Sequence, residues 1–281
     1  MILDGRVIAE EICKEIRQNI TTSKARPPGL AFLLIGEHPP SQIYVEAKQK
    51  KCREIGIRSS LFIQPASTPT KVIVESIRKL NQDREIDGIL VQLPLPSHIS
   101  QETIIHAIDP NKDVDGFHPL NIGKLALGIN GGFIPCTPAG IVELLKRNHI
   151  SCTGKHAVIL GRSNIVGKPL ALLLMQKREG LNATVTLSHS QSANLQEICR
   201  SADILIAAMG VPHYIGCEMV KDGAIVIDVG INRIEGRLIG DVQFAQVAPH
   251  CSYITPVPGG IGPMTIAMLL QNTWLSYTRH L

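Results

Sequence analysis

The sequence predicts an α/β protein in two domains, the second with the strand–helix rhythm of a mononucleotide-binding fold. Three observations carry this. Short continuous apolar runs recur along the chain, as parallel strands covered on both faces require. Amphipathic stretches with helical spacing separate them, the alternation that right-handed crossovers produce. Near the middle, "VILGRSNIVGKPLALLL" (158–174) runs from an apolar strand through a glycine-punctuated turn into a leucine-rich helix.

In chain order, "GLAFLLIG" (29–36) reads as a buried strand and "SQIYVEAKQKKCREIG" (41–56) as a helix ending at Gly56. "SSLFIQP" is a second strand, "TKVIVESIRKLNQD" a second helix, and "IDGILVQLPLP" a third strand ending in prolines. The turn-rich region 109–138 follows without convincing periodicity, and long irregular segments in compact domains often carry function. Thr137 and Pro138 are expected as N-cap and first helical residue of "TPAGIVELLKRN", a helix linking the domains. From near Lys155, "HAVILG", "ATVTL", "DILIAAMG" and "AIVIDVG" read as strands of a Rossmann-like parallel sheet. "TPVPGGIGPMTIAMLLQNTWLSYTRH" reads as a Pro/Gly turn and a helix that returns to the first domain. The expected division is therefore 1–138 plus 263–281 for one domain and 139–262 for the other.

The bulk numbers narrow the function. A chain of 281 residues with 44% apolar and 19% charged residues is an ordinary globular protein, long enough for two modest domains. A net charge of +4, no long Lys/Arg block and 4% aromatics argue against nucleic-acid binding. The seven cysteines are odd in number and form no C-x-x-C, which suggests neither a disulfide framework nor a zinc site. They are expected as reduced, mostly buried thiols of a cytoplasmic protein without a metal. Charges come too early in "MILDGRVIAEEICKEIRQ" for a signal sequence. No apolar run approaches the roughly 20 residues that span a bilayer.

A helix N-terminus after a strand offers free N–H groups and partial positive charge to a phosphate. Gly161 suits the tight turn and Gly167 close helix–strand packing. The spacing Gly161-x-Ser163-x-x-x-Gly167 departs from G-x-G-x-x-G, and a plain βα turn without a ligand accounts for the same glycines. The next strand end sharpens the reading. NAD-binding folds usually carry an acid there for the adenosine ribose, whereas "TVTLSHSQS" (184–192) has none. Arg162 and Ser190 suit a 2′-phosphate instead. Charge-assisted hydrogen bonds of roughly 1.5–3 kcal/mol each would give a ten- to hundredfold preference for NADP over NAD. A hydrolase elbow G-x-S-x-G at Ser163 fails, because Ile165 stands where glycine is needed.

In the first domain, "YVEAK" puts Tyr44 and Lys48 four apart on one helical face. A solvated lysine beside a half-buried tyrosine is the plain alternative. Gln92 ends the third strand before Pro94 and Pro96, and Asp113 and Asp115 lie in the irregular segment beyond. Strand ends carry the sites of open α/β sheets, so a lysine, an amide and a carboxylate are candidates for one cleft. Turn chemistry explains Asp113 and Asp115 equally well at this stage.

Together, "YVEAKQKKCREIGI", "DGILVQLPLP", "PNKDVDGFHPLNIGKL", "PCTPAGIVELL", "GRSNIVGKP", "IDVGIN" and "TPVPGGIGPMT" resemble the bifunctional methylenetetrahydrofolate dehydrogenase/cyclohydrolase family, over nearly the whole chain. The resemblance implies NADP-dependent oxidation of 5,10-methylenetetrahydrofolate and hydrolysis of the product to 10-formyltetrahydrofolate. It implies a folate cleft between the domains and a homodimer. It assigns Lys48 to proton transfer, Gln92 to tuning that lysine, Tyr44 to the folate rings and Asp115 to the pterin donor edge. Leu93 and the turn Pro258, Gly259, Gly260, Ile261 and Gly262 line the same cleft. Gly161, Arg162, Ser163, Ser190 and Ile231 are the implied cofactor contacts. Pro40 and Ser188 depart from the family's usual alanine and frequent cysteine. Two alternatives stay open: a folate- or nucleotide-binding relative without turnover, and an NADP-dependent dehydrogenase of this fold on another substrate.

Overall fold

The computed structural model describes residues 1–280. The chain forms two compact units. One comprises Glu11–Lys124, Ile129–Ile134 and Leu269–Leu281; the other comprises Met1–Glu10, Leu125–Gly128 and Pro135–Met268. The first part of the chain supplies α1 (Gly5–Thr22), β1 (Gly29–Ile35), α2 (Pro39–Ile55), β2 (Arg58–Gln64), α3 (Thr70–Gln82), β3 (Gly88–Val91), α4 (Gln101–Ala107) and α5 (Pro119–Ala126). The remainder supplies α6 (Cys136–Arg147), β4 (His156–Leu160), α7 (Gly167–Leu174), β5 (Thr184–Ser188), α8 (Leu195–Arg200), β6 (Ile204–Ala207) and β7 (Ile225–Asp228). It continues with β8 (Asn232–Ile234), β9 (Arg237–Ile239), α9 (Phe244–Val247), β10 (Tyr253–Ile254) and α10 (Ile261–Arg279). The unit boundaries fall inside α1 and α10. Met1–Glu10 groups with the second unit because Leu3 N–H donates to the Ile254 carbonyl (2.8 Å) and Ile254 N–H to the Met1 carbonyl (3.0 Å).

The first unit holds a parallel three-stranded sheet, β2-β1-β3. Its centre, β1, is buried at every position. The second unit holds a parallel five-stranded sheet, β10-β7-β6-β4-β5. Its chain order reverses between β4 and β6, the switch point at which doubly wound sheets bind ligands. Apolar residues pack both sheets: Ala31, Leu33, Ile73, Ile77 and Ile89 in the first, and Val158, Leu160, Leu205 and Val226 in the second. The predicted strands and helices are all present, and the fold class is the predicted α/β class.

Several local expectations need correction. β2 is not covered on both faces; it is an edge strand with only β1 beside it, and Ile63 is 59% exposed. Helix α6 does not begin with Thr137 as N-cap. Pro135 holds that position, Pro138 falls within the first turn, where backbone N–H groups have no helical partner, and the Thr137 hydroxyl lies 3.1 Å from that of Thr265. Helices α1, α4 and α5 are additions to the elements that the sequence pattern predicts. The last two are too short to establish a period; α4 rests on a Ser100 cap accepting from Thr103 N–H. The hairpin β8–β9 is a further addition, in which Glu235-Gly236, both at positive φ, make the two-residue turn that such hairpins favour. Of the seven cysteines five are buried, two are half-buried, and none is in a disulfide. Among the described residues no helix is long and apolar enough to cross a membrane.

Candidate active site

Lys48 is aimed by helix periodicity. Ser41, Val45, Cys52 and Ile55 form the buried stripe of α2, and Lys48 takes the inward position between Val45 and Cys52. Its ammonium therefore turns toward the sheet and donates to Gln92 Oε1 at 3.1 Å. Gln92 directly follows β3, and its N–H extends the ladder to the Leu33 carbonyl. The Gln92 amide N–H2 donates to the Leu93 carbonyl at 2.7 Å, so its oxygen is the end presented to the lysine. The same carbonyl accepts from Ser41 Oγ, 3% exposed and absent from the expected site. Tyr44, one turn before Lys48, is 38% exposed.

Asp115 reaches this end of the sheet through backbone register. Ile89 N–H donates to the Lys112 carbonyl, and Asp113 bridges Ile89 in parallel, so the segment runs alongside β3 toward its carboxyl end. Burial pushes the Asp115 carboxyl above its usual range, and the Lys48 ammonium pulls it back down. Asp113 does different work. It is 1% exposed and accepts from His118 N–H (2.8 Å), Asn121 Nδ2 (2.8 Å) and Phe117 N–H (3.2 Å), which shapes the entry to α5. Turn chemistry is its role.

Burial raises the Asp113 pKa to about 7 against these donors. A raised pKa makes the folded state hold its proton longer than the unfolded chain does. This contribution is therefore full below about pH 4 and is lost as pH rises through 7, a fall on the order of 4 kcal/mol. Urea unfolding of the wild type and Asp113→Asn at pH 4.5 and pH 8 is expected to show it. The variant gains relative to the wild type as pH rises; a pH-independent difference would contradict the assignment.

The loop after β4 has the shape of a phosphate cradle. Gly161 lies at φ 131°, and a Cβ there would stand 2.1 Å from the Ala208 carbonyl oxygen. A Cβ on Gly167 would stand 1.9 Å from the Gly161 oxygen, so both glycines are required by close backbone approach. Ser163 Oγ accepts from Val166 N–H at 3.1 Å and reaches Gly167 N–H at 3.5 Å, capping the start of α7. Arg162 is exposed and makes no hydrogen bond or ion pair among the described residues. Leu160 pairs with Ser188, so Arg162 and the exposed Ser190, each two residues further, leave the sheet at the same end. Ser188 itself is buried and donates to the Ile159 carbonyl. The residues fit NADP: a cradle that any side chain would fill, an unpaired guanidinium beside it, and no acid at the end of β5.

Ile231, 48% exposed, follows β7, and its Cδ1 lies 3.8 Å from where a Gly262 Cβ would be. The turn Pro258–Gly262 is set by backbone contacts: Gly5 N–H donates to the Gly259 carbonyl, Gly259 takes φ 110°, and Ile261 opens α10. Lys48, Gln92 and Asp115 come together in the first unit; the cofactor-side residues and the Pro258 turn belong to the second. No group of three or more His, Cys, Asp or Glu side chains is placed to hold a metal among the described residues.

Comparison with known proteins places the chain in a family. Residues 3–115 match the catalytic domain of tetrahydrofolate dehydrogenase/cyclohydrolase, and residues 135–281 match its NAD(P)-binding domain. The bifunctional protein FolD of Protochlamydia amoebophila is 54% identical, over 99% of this chain and 98% of its own length. The crystal structure of the bifunctional FolD dehydrogenase/cyclohydrolase of Campylobacter jejuni superposes with a TM-score of 0.97 at 46% identity, covering 100% of this chain and 99% of that one. The Trypanosoma brucei FolD, solved with NADP cofactor and an inhibitor, has a TM-score of 0.93 at 36% identity, covering 99% and 97%. Matched along nearly its whole length in both domains, the chain belongs to the tetrahydrofolate dehydrogenase/cyclohydrolase family.

Proposed function

We propose that this protein is a bifunctional enzyme of folate one-carbon metabolism. It oxidises 5,10-methylenetetrahydrofolate with NADP to 5,10-methenyltetrahydrofolate and hydrolyses that cation to 10-formyltetrahydrofolate. The observation that carries the reading is the inward Lys48 ammonium, 3.1 Å from an oriented Gln92 oxygen, in a chain of this family. The methenyl group is already electrophilic, so water needs positioning and proton management rather than a covalent nucleophile. Lys48 supplies the proton relay, and Gln92 holds it in place. Water adds to the methenyl carbon, one proton leaves, and the ring opens to the formyl product. Asp115 accepts from the pterin 2-amino group and ring N–H, which only a carboxylate can do with both oxygens. Tyr44 and Leu93 are assigned to the folate rings, and the family resemblance assigns Pro258, Gly259, Gly260, Ile261 and Gly262 to folate binding as well.

NADP, when bound, accepts the hydride. Gly161, Ser163 and the α7 N-terminus hold its pyrophosphate, Arg162 and Ser190 its 2′-phosphate, and Ile231 its other half. We assign folate binding and chemistry to 1–138 plus 263–281 and cofactor binding to 139–262, and expect a cytoplasmic homodimer, as the family resemblance implies. The test is a steady-state assay of both reactions with NADP and NAD in parallel; absence of either activity would overturn the bifunctional reading. Arg162→Ala is expected to weaken NADP about ten- to hundredfold and NAD much less. Equal loss for both coenzymes would remove the 2′-phosphate role.

A further inference from the structure

Two buried carboxylates beside the cofactor loops have no part in the chemistry above. Asp228 ends β7 and is 3% exposed. Its Oδ1 accepts from Gly230 N–H (2.9 Å) and Asp241 N–H (3.0 Å), and its Oδ2 from Val242 N–H (2.9 Å). Asp241 is 1% exposed. Its Oδ2 accepts from Met209 N–H (2.7 Å) and Gly210 N–H (2.9 Å), and its Oδ1 from Asn232 Nδ2 (2.9 Å). Neither has a lysine or arginine among these partners; backbone N–H dipoles and one amide balance the charge. The packing leaves no room for side chains between them. A Cβ on Gly230 would stand 2.2 Å from Asp241 Oδ1, and one on Gly240 1.9 Å from Asp228 Oδ2.

The pair thus ties together the loops after β6 and after β7 and the segment after β9. The loop after β6 touches the phosphate cradle directly, through the Ala208 oxygen against Gly161. With the 2′-phosphate on the β5 side of that cradle and the pyrophosphate at α7, the rest of a dinucleotide extends over the ends of β6 and β7. We propose that Asp228 and Asp241 are positioning residues that fix these two loops as the floor under the nicotinamide half of the cofactor. The pair binds no ligand itself. The inference rests on the NADP reading above.

The test separates the halves of the cofactor. Binding of NADP and of adenosine 2′,5′-bisphosphate, which carries only the phosphorylated adenosine half, is measured by calorimetry on the full chain. In Asp241→Ala the affinity for NADP is expected to fall about ten- to hundredfold, and that for the bisphosphate less than about twofold. Asp241→Asn is expected to recover much of the loss, because its oxygen can still accept from Met209 and Gly210 while the Asn232 amide turns over. Unchanged NADP affinity in Asp241→Ala, or parallel loss for both ligands, overturns the proposal. Should Asp241→Ala not fold, Asn232→Ala removes a single donor and is expected to give a smaller loss with the same selectivity. A wild-type protein that bound neither ligand would defeat the NADP reading instead.

Discussion

Lys48→Ala is expected to lower hydrolysis of 5,10-methenyltetrahydrofolate by about 10²- to 10⁴-fold, the range of a lost general acid–base group. The size follows from how the lysine is held. A surface lysine exchanges with solvent and is replaceable by buffer. Lys48 is half-buried on the face of α2 that carries Val45 and Cys52, and its ammonium donates to an amide oxygen whose other end is already engaged with the Leu93 carbonyl. Lys48→Arg is expected to be nearly as damaging, since a planar guanidinium fork does not reproduce the compact ammonium and its three rotatable donors at this position. Gln92→Leu removes the anchor and leaves the amine, so its loss is expected to be smaller, about tenfold. NADP affinity should not change in any of the three. Stopped-flow or steady-state decay of the methenyl absorbance reads the rate directly. Hydrolysis within about threefold of wild type in Lys48→Ala would mean that the lysine manages no proton.

Much of this site can be read from the chain alone, for identifiable reasons. Tyr44 and Lys48 are one turn apart on a helix whose apolar stripe is visible in the sequence. Gln92 stands where a strand stops and prolines begin. Arg162 and Ser190 announce themselves by what is missing, an acid at the end of the second cofactor strand. Asp115 is different. Nothing in "DVDG" separates a ligand from a turn former, and the turn contacts of Asp113 and its register with β3 are features that no periodicity reveals. Asp228 and Asp241 were invisible for a related reason: their donors are mostly backbone N–H groups, which every residue but proline carries. Strand order escaped as well. "SSLFIQP" is apolar enough for a central strand, and only the topology makes β2 an edge.

Arg26→Ala is expected to destabilise the fold by about 3 kcal/mol, near the lower end for breaking a buried ion pair from one side. Asp87 is 1% exposed, and it accepts from both terminal nitrogens of Arg26 (2.7 and 2.8 Å) and from Gly29 N–H (2.7 Å). The guanidinium also lies 5.3 Å from the Tyr277 ring centre, while the Asp87 carbonyl accepts from Ser276 Oγ. Removing the cation leaves the carboxylate with backbone donors and the His280 imidazole, its Nδ1 3.7 Å from Oδ1, where water scarcely reaches. The second unit offers an internal control. There Asp203 precedes β6 as Asp87 precedes β3, and it accepts from His156 N–H at the start of β4 as Asp87 does from Gly29 at the start of β1. Both sheets repeat the same local order of three strands, and both aspartates have a cation, Lys221 standing for Arg26. Burial differs: the Asp203 side chain is 37% exposed and that of Lys221 51%. Lys221→Ala is therefore expected to cost less than about 1 kcal/mol, as exposed pairs do. Both pairs sit at the amino ends of their strands, whereas Lys48, Gln92 and the phosphate cradle are built at or near the carboxyl ends. Urea unfolding should show the threefold contrast in stability, and hydrolysis by folded Arg26→Ala at low temperature should match wild type. Equal destabilisation by the two substitutions would show that burial does not set the strength of these pairs. Loss of hydrolysis in the folded variant would show that the amino ends of the strands are coupled to the chemistry.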